Sequence, residues 1–379
     1  MKTSAQGYRV AIVGASSLLG KELVTVLEER RFPVSQLITV GVEASEPDLP
    51  IIDLSADFGG VGEDLARVAF EEADAKARQA EVDFAFLANR SPQSASFLDS
   101  PESERRVVID LGENLGPAQV EEVGGRSDEV LSVPFLDRVF SNGSVRDSKR
   151  FVSAHPAAIV ISSLLLRLAS RFQLRRAVGH VFGPASEIGP RAIEELQKQT
   201  VNVLSFQKFP QSVFGAQLAF NLLPRLGRAR RGESQPYRDD LTYLEGRLRA
   251  QLRTYLRDRV PLPALRVIQV PVFYSLTVSL YVETAEPPDL ASVGQALAGD
   301  RVLVRRLSDQ APSQINVTGT SDILVDAITA DAEHPAGIWL WAAADNIRLA
   351  AVNAVEIAES LKDQGPPQNR RGTEKSHLM

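Results

Sequence analysis

The sequence predicts an α/β protein: a doubly wound domain on a parallel sheet, then an α+β region with a mixed or antiparallel sheet. Three observations carry this expectation. Residues 8–33, YRVAIVGASSLLGKELVTVLEERRFP, read as strand, glycine turn and helix, the first half of a βαβ unit. Residues 82–88 (VDFAFLA) and 107–111 (VVIDL) are near-continuous apolar runs, the mark of parallel strands covered on both faces. Beyond residue 177, short strand-like runs are interspersed with helical stretches.

The opening run, Tyr8 to Val13, is short, apolar and β-branched, and it stops at Gly14. From Lys21 the period becomes helical, with Leu23, Val24, Val26 and Leu27 apolar and Lys21, Glu22, Glu28, Glu29 and Arg30 polar, until Pro33 ends it. The turn between them holds Gly14, Ser17 and Gly20 at spacings of three. Glycine lets backbone approach a pyrophosphate, whose charge then rests on the free N–H groups of the helix N-terminus. Gly14, Ser16, Ser17, Leu18 and Gly20 are therefore candidate dinucleotide-binding residues. The same pattern also suits a tight β–α turn that binds nothing, because a loose glycine pattern is a weak motif.

Residues 36–40 (QLITV) form the expected second strand, and Glu43 follows it by three residues. An acid there holds the adenosine ribose in a dinucleotide fold, and it also suits an exposed loop. Lys and Arg are absent between Arg31 and Arg67, so nothing there neutralises a 2′-phosphate; NAD or NADP are both open, with NAD favoured. Residues 51–54 are apolar, glycines follow at 59, 60 and 62, and 63–80 are helix-forming and charged. After a polar stretch with a strand-like segment at 130–133, Pro156 opens the apolar helical run 159–168. Proline suits the first helical position, which makes His155 the expected N-cap, and a run this apolar belongs between domains. Strands follow at 177–182, 267–272, 279–283, 314–318 and 323–329, with helices at 191–200, 241–257 and 290–297 and a loop at 227–240. The final helix, 345–361, is apolar on one face, and 363–379 are polar and read as a disordered tail.

At 379 residues the chain has room for two domains, and 44% hydrophobic with 24% charged residues places it among ordinary soluble proteins. A net charge of −6 gives no support for nucleic acid as a partner. No apolar run approaches the ~20 residues of a membrane helix, and residues 1–7 hold no signal core, so the expectation is no membrane partner and a cytoplasmic location. The chain has no cysteine, which removes disulfides, thiolate catalysis and Cys-ligated metal together. His155, His180, His334 and His377 show no metal-motif spacing.

The ordered set of motifs resembles the aspartate-semialdehyde dehydrogenase family. GASSLLGKELVTVLEERRFP is similar to that family's opening loop and helix, where GATGxVG and LEERxFP recur. RAIEELQKQT, LAFNLLPRL, VPVFY and WAAADNIRLAAVNAVEIAE resemble its helix after the active-site turn, its AFNVIP segment, its VPV segment and its cofactor-side C-terminal helix. The resemblance spans most of residues 8–361 in the same order. It implies a Rossmann-type NAD(P)-binding domain (1–150), an α+β dimerisation domain (151–340), a C-terminal helix returning to the first domain (341–362), and a homodimer.

The family's chemistry uses a cysteine that attacks the aldehyde, hydride transfer to the nicotinamide, and phosphate that cleaves the thioester. Its A-N-P-x-C motif here reads Ala154-His155-Pro156-Ala157-Ala158, with Ala158 at the nucleophile position. By the same register its glutamine falls near Gly183, its general-base histidine on Leu276 and its carboxylate-gripping arginine on Gln269. Its phosphate-binding DNSSAFR segment reads DLGENLG from Asp110, without the basic group. Loss of nucleophile, base and arginine together points to an inactive family member that keeps the fold and dimer and binds a dinucleotide, another small-molecule ligand or a protein. Two alternatives stand beside it. One is an active NAD(P)-dependent oxidoreductase of aldehyde or acyl-phosphate substrates in amino-acid biosynthesis that forms no thioester. The other is a hydrolase on Ser153 or Ser186, which otherwise read as capping or turn residues; the chain has no GxSxG elbow. Asp345 and Asn346 match the family's cofactor-side pair and equally suit capping of the last helix.

Overall fold

The computed structural model describes residues 7–40, 82–99, 106–112, 114, 129–140, 148–226, 241–305 and 310–362. Glu43, the runs at 51–80, the loop 227–240 and the tail 363–379 lie outside these residues.

The first sheet is parallel throughout, in the order β2 (Val34–Val40), β1 (Tyr8–Val13), β3 (Phe84–Leu87), β4 (Val107–Asp110), β6 (Arg150–Ser153), β5 (Glu129–Ser132). Every residue of β3 and β4 is buried, as the apolar FAFL and VVI suit, and Asp110 at the end of β4 accepts from the Gly112 N–H and from Asn114 Nδ2. Helix α1 (Leu18–Glu29) follows β1, α2 (Pro92–Asp99) follows β3 and α3 (Pro134–Phe140) follows β5. The strand order reverses beside β1, with β2 on one side and β3 on the other, which makes the carboxyl ends of β1 and β3 the switch point where open α/β sheets bind ligands.

Helix α4 (Pro156–Ala169) leaves the first sheet and is buried at twelve of its fourteen residues. It packs against the second sheet, ordered β10 (Val302–Val304), β11 (Ile323–Ala330), β12 (Gly337–Ala344), β9 (Leu276–Thr284), β7 (Leu174–Gly183), β8 (Ala264–Gln269). This sheet is mixed: β7–β8 and β10–β11 are parallel and the three central pairings are antiparallel. The parallel pair β7–β8 is permitted by the long connection through α5 (Pro190–Leu204) and α6 (Leu241–Leu256), enough chain for a crossover. Along β9, Val278, Leu280 and Val282 are buried while Ser279, Tyr281 and Glu283 are half-buried. The second face therefore carries aromatic pairs, Phe182 with Trp341 and Tyr281 with Trp339, at centroid separations of 5.8 and 5.0 Å. Helix α7 (Leu290–Leu297) covers the inner face with α4, and α8 (Asn346–Ser360) returns to pack on α1, β4 and β6.

Three expectations are corrected. Residues 314–318 are a turn, because Asn316 and Thr318 side chains bond to backbone at Ser313, Ala311 and Gln314 and replace a ladder. The strand expected at 267–272 ends at Gln269, since Pro271 has no N–H for a ladder. Residues 341–344 belong to β12 and not to the last helix: pairing with β9 over its whole length overrides the helix propensity of the alanines.

Candidate functional site

A cleft of about 370 Å³ lies at the carboxyl ends of β1, β3, β4 and β6. Each strand delivers its next residues to the wall. After β1 come Ser17, Leu18 and Leu19; after β3, Asn89 and Arg90; after β4, Leu111 and Gly112; after β6, Ala154 and His155. The far wall is the turn after β7, Ser186 to Pro190, with Arg247 of α6 and the start of α8.

The glycine turn is built by local bonds. Gly14 has φ +81°, and a Cβ there falls 2.4 Å from Cγ of Asn89. A Cβ on Gly20 falls 2.2 Å from the Gly14 carbonyl oxygen, so both glycines serve close packing of the turn. Ser17 is the N-cap of α1: its hydroxyl donates to the Gly14 carbonyl at 2.7 Å and accepts from the Gly20 N–H at 3.0 Å. Of the turn residues, Ser17 and Leu18 face the cleft; Ser16 is exposed beside it.

The wall around His155 and the turn after β7 is polar and closely bonded. His155 caps α4: Nδ1 accepts from the Ala157 N–H at 3.1 Å, and the His155 N–H donates to Gln251 of α6 at 2.8 Å. With Nδ1 accepting, the ring proton is on Nε2, which donates to Glu187 Oε1 at 2.6 Å. Asn346 Nδ2 reaches the other oxygen of Glu187 at 3.4 Å, and Asn346 Oδ1 accepts from the Ser186 hydroxyl and the Ser275 N–H. Burial pushes the Glu187 carboxyl up, but His155, then Arg247 and Asn346, pull it further down and leave it below the usual range. Asp345 caps α8 through the N–H groups of Ile347 and Arg348. So Asp345 takes the capping role and Asn346 the cleft position.

Two family models match the chain. Residues 9–135 match the semialdehyde dehydrogenase NAD binding domain, and residues 165–349 match the semialdehyde dehydrogenase dimerisation domain. The chain belongs to the semialdehyde dehydrogenase family. It is similar to an aspartate-semialdehyde dehydrogenase of Aquifex aeolicus, 28% identical over 95% of this chain and 99% of the relative. It is likewise similar to a USG-1 protein homolog of Pseudomonas aeruginosa, 27% identical over 94% and 98%. Among solved structures, aspartate semialdehyde dehydrogenase II from Vibrio cholerae shares the fold with a TM-score of 0.73 at 24% identity, covering 95% of this chain and all of the other.

None of the four positions that the sequence reading set against family catalytic residues, Ala158, Gly183, Gln269 and Leu276, is among the residues lining the cleft. Ala158 and Leu276 are each 1% exposed and belong to one apolar core. Gln269 is as deeply buried, and its side-chain amide donates to the Gly183 carbonyl at 2.9 Å. Ser153 is tied to Asn353 and Ser186 to Asn346, and both nitrogens of His155 are engaged elsewhere. Sequence reasoning missed Glu187, Asn89, Arg90 and Arg247 as cleft residues. Asn89 and Arg90 had a readable signal, since they follow a buried parallel strand, where such sheets place ligand contacts. Among the described residues no cluster of metal-ligating side chains occurs, and no helix is long and apolar enough to cross a membrane.

Proposed function

We propose that this chain is a divergent semialdehyde dehydrogenase-family protein that keeps a dinucleotide cleft and a homodimer but does not perform the cysteine-dependent oxidation of aspartate β-semialdehyde. One observation carries the reading: the chain has no cysteine, and Ala158, in the first turn of α4, stands where the sequence register sets the family's nucleophile. An alanine methyl forms no covalent adduct, and the covalent route accelerates by splitting one hard step into two. Leu276 and Gln269 support it, because one is packed among apolar side chains and the other is spent on the Gly183 carbonyl.

The cleft residues fit a nicotinamide dinucleotide. Ser17, Leu18 and Leu19 open the N-terminus of α1 to it, where a pyrophosphate is stabilised, and Asn346 lines the same cleft. Gly14, Ser16 and Gly20 shape the turn, and Glu43 remains the proposed ribose partner. NAD is favoured over NADP by the absence of Lys and Arg between Arg31 and Arg67. When bound, the cofactor supplies hydride exchange. The aromatic outer face of the second sheet is the proposed dimer surface, with Tyr281, Trp339 and Phe182 on it.

The deciding experiment is an assay with aspartate β-semialdehyde, phosphate and either cofactor. The expected result is no turnover above background, and only trace turnover for Ala158→Cys, which still lacks base and anchor. Turnover of the unmodified protein at about 1–10³ per second removes the proposal. Calorimetry on Gly14→Val tests the cleft separately, with loss of dinucleotide binding expected. A second reading, an oxidoreductase that forms no thioester, is supported by Glu187, a carboxylate that lines the cleft within reach of a bound substrate.

A further inference from the structure

Glu187 lines the cleft, and its side chain is 24% exposed, open on one side to whatever occupies the space. Its Oε1 takes the Nε2–H of His155. The ring's Nδ1 accepts from the Ala157 N–H, and within the pair the carboxylate of Glu187 is the group that borders the cleft. Its Oε2 meets Asn346 only at a long 3.4 Å and retains acceptor capacity. Two guanidiniums share the cleft: Arg90 is exposed at its edge, and Arg247 acts on Glu187 through space from α6.

The strand order says which end of a dinucleotide meets this carboxylate. β2 lies on one side of β1, and β3, β4 and β6 lie on the other. The adenosine half belongs over β2, and the cleft runs the other way, past Asn89 and Gly112 to His155 and Glu187. The nicotinamide half therefore belongs with Glu187. An oxidised nicotinamide ring carries a positive charge and the reduced ring carries none, while the rest of the two molecules is the same. A fixed carboxylate in a partly desolvated cleft distinguishes them by Coulomb attraction.

We infer that the part of the cleft lined by Glu187 selects the oxidised, cationic form of a nicotinamide dinucleotide, with Glu187 as the selecting group. The inference rests on the dinucleotide reading above. It makes the protein a reader of cofactor oxidation state, whether or not any substrate turns over.

Calorimetry on the full chain with NAD⁺ and NADH, and with NADP⁺ and NADPH, measures the selection. The expected result is about tenfold tighter binding of the oxidised form, about 1.4 kcal/mol, in at least one pair. Glu187→Gln is expected to bring the ratio close to one while NADH or NADPH binding persists. A second arm needs no variant: 1-methylnicotinamide cation and neutral nicotinamide are compared by thermal shift on the unmodified protein, and the cation is expected to stabilise more. Equal affinity for oxidised and reduced forms, or tighter reduced cofactor, overturns this inference and leaves dinucleotide binding intact. No binding of any dinucleotide at millimolar concentration overturns both.

Discussion

The two sides of the α4 N-terminus differ sharply. Behind the wall, Ala158 and Leu276 are dry and packed in the main core. In front of it, three residues earlier in the chain, His155 joins Glu187 and Asn346 in a hydrogen-bonded cluster that borders open space. The family fold supplies the same backbone to both. What a site does is set by which side chains meet the cleft, and here polar groups line it while Ala158 and Leu276 belong to the packed core.

The largest expected effect comes from breaking the dry side. Leu276→Ala should cost about 2–5 kcal/mol of stability by urea denaturation, the usual range for a buried leucine. Leu276→His should cost more, because an imidazole there enters an apolar core without a partner. If Leu276→His is as stable as the parent, the position is open to solvent and the contrast fails. On the wet side, His155→Ala removes both the α4 cap and the donor to Glu187, and about 1–3 kcal/mol is expected in the same measurement. His155→Asn, which restores a capping side chain, should recover part of that loss. Ser17→Ala removes only the α1 cap and should cost about 1 kcal/mol. The smallest effect is pH-dependent. Glu187 is held below its usual range, so its contribution is complete above the ordinary glutamate pKa, about 4.3, and is lost as pH falls through its lower folded value. Denaturation midpoints measured from pH ~6 downward should therefore fall less steeply for Glu187→Gln than for the parent.

How much of this was legible depends on how locally each feature is encoded. The glycine turn, the Pro156 start and the His155 cap involve residues within a few positions of one another, and the sequence displays them. The buried strands were legible because a parallel sheet demands continuous apolar character. The wall was not: Glu187 is 32 residues from His155 and 159 from Asn346, and only the return of the last helix brings the three together. Residues 314–318 and 341–344 failed for opposite reasons, one through local side-chain bonds that competed with a strand, the other through a tertiary partner strand that outweighed alanine propensity.

The last helix closes the first sheet from the far end of the chain. On one side of α8, Ala351, Val352, Val355 and Ala358 share a core with Leu23, Val26 and Leu27 of α1. Arg30 pairs with Glu359 at 2.5 Å, Arg348 pairs with Glu22 at 2.7 Å, and the Tyr8 hydroxyl donates to the Lys362 carbonyl across 354 positions. During synthesis, then, β1, β3 and β4 emerge long before the helix that covers one of their faces. The second sheet, whose strands are contiguous between Leu174 and Ala344, has all its partners earlier. The nascent chain passes through a stage with its inserted half complete and its first half uncovered, the kind of apolar exposure that chaperones hold. A chain that stops before residue 346 remains at that stage, and its cleft lacks the wall formed by Asn346, Ile347 and Ala350.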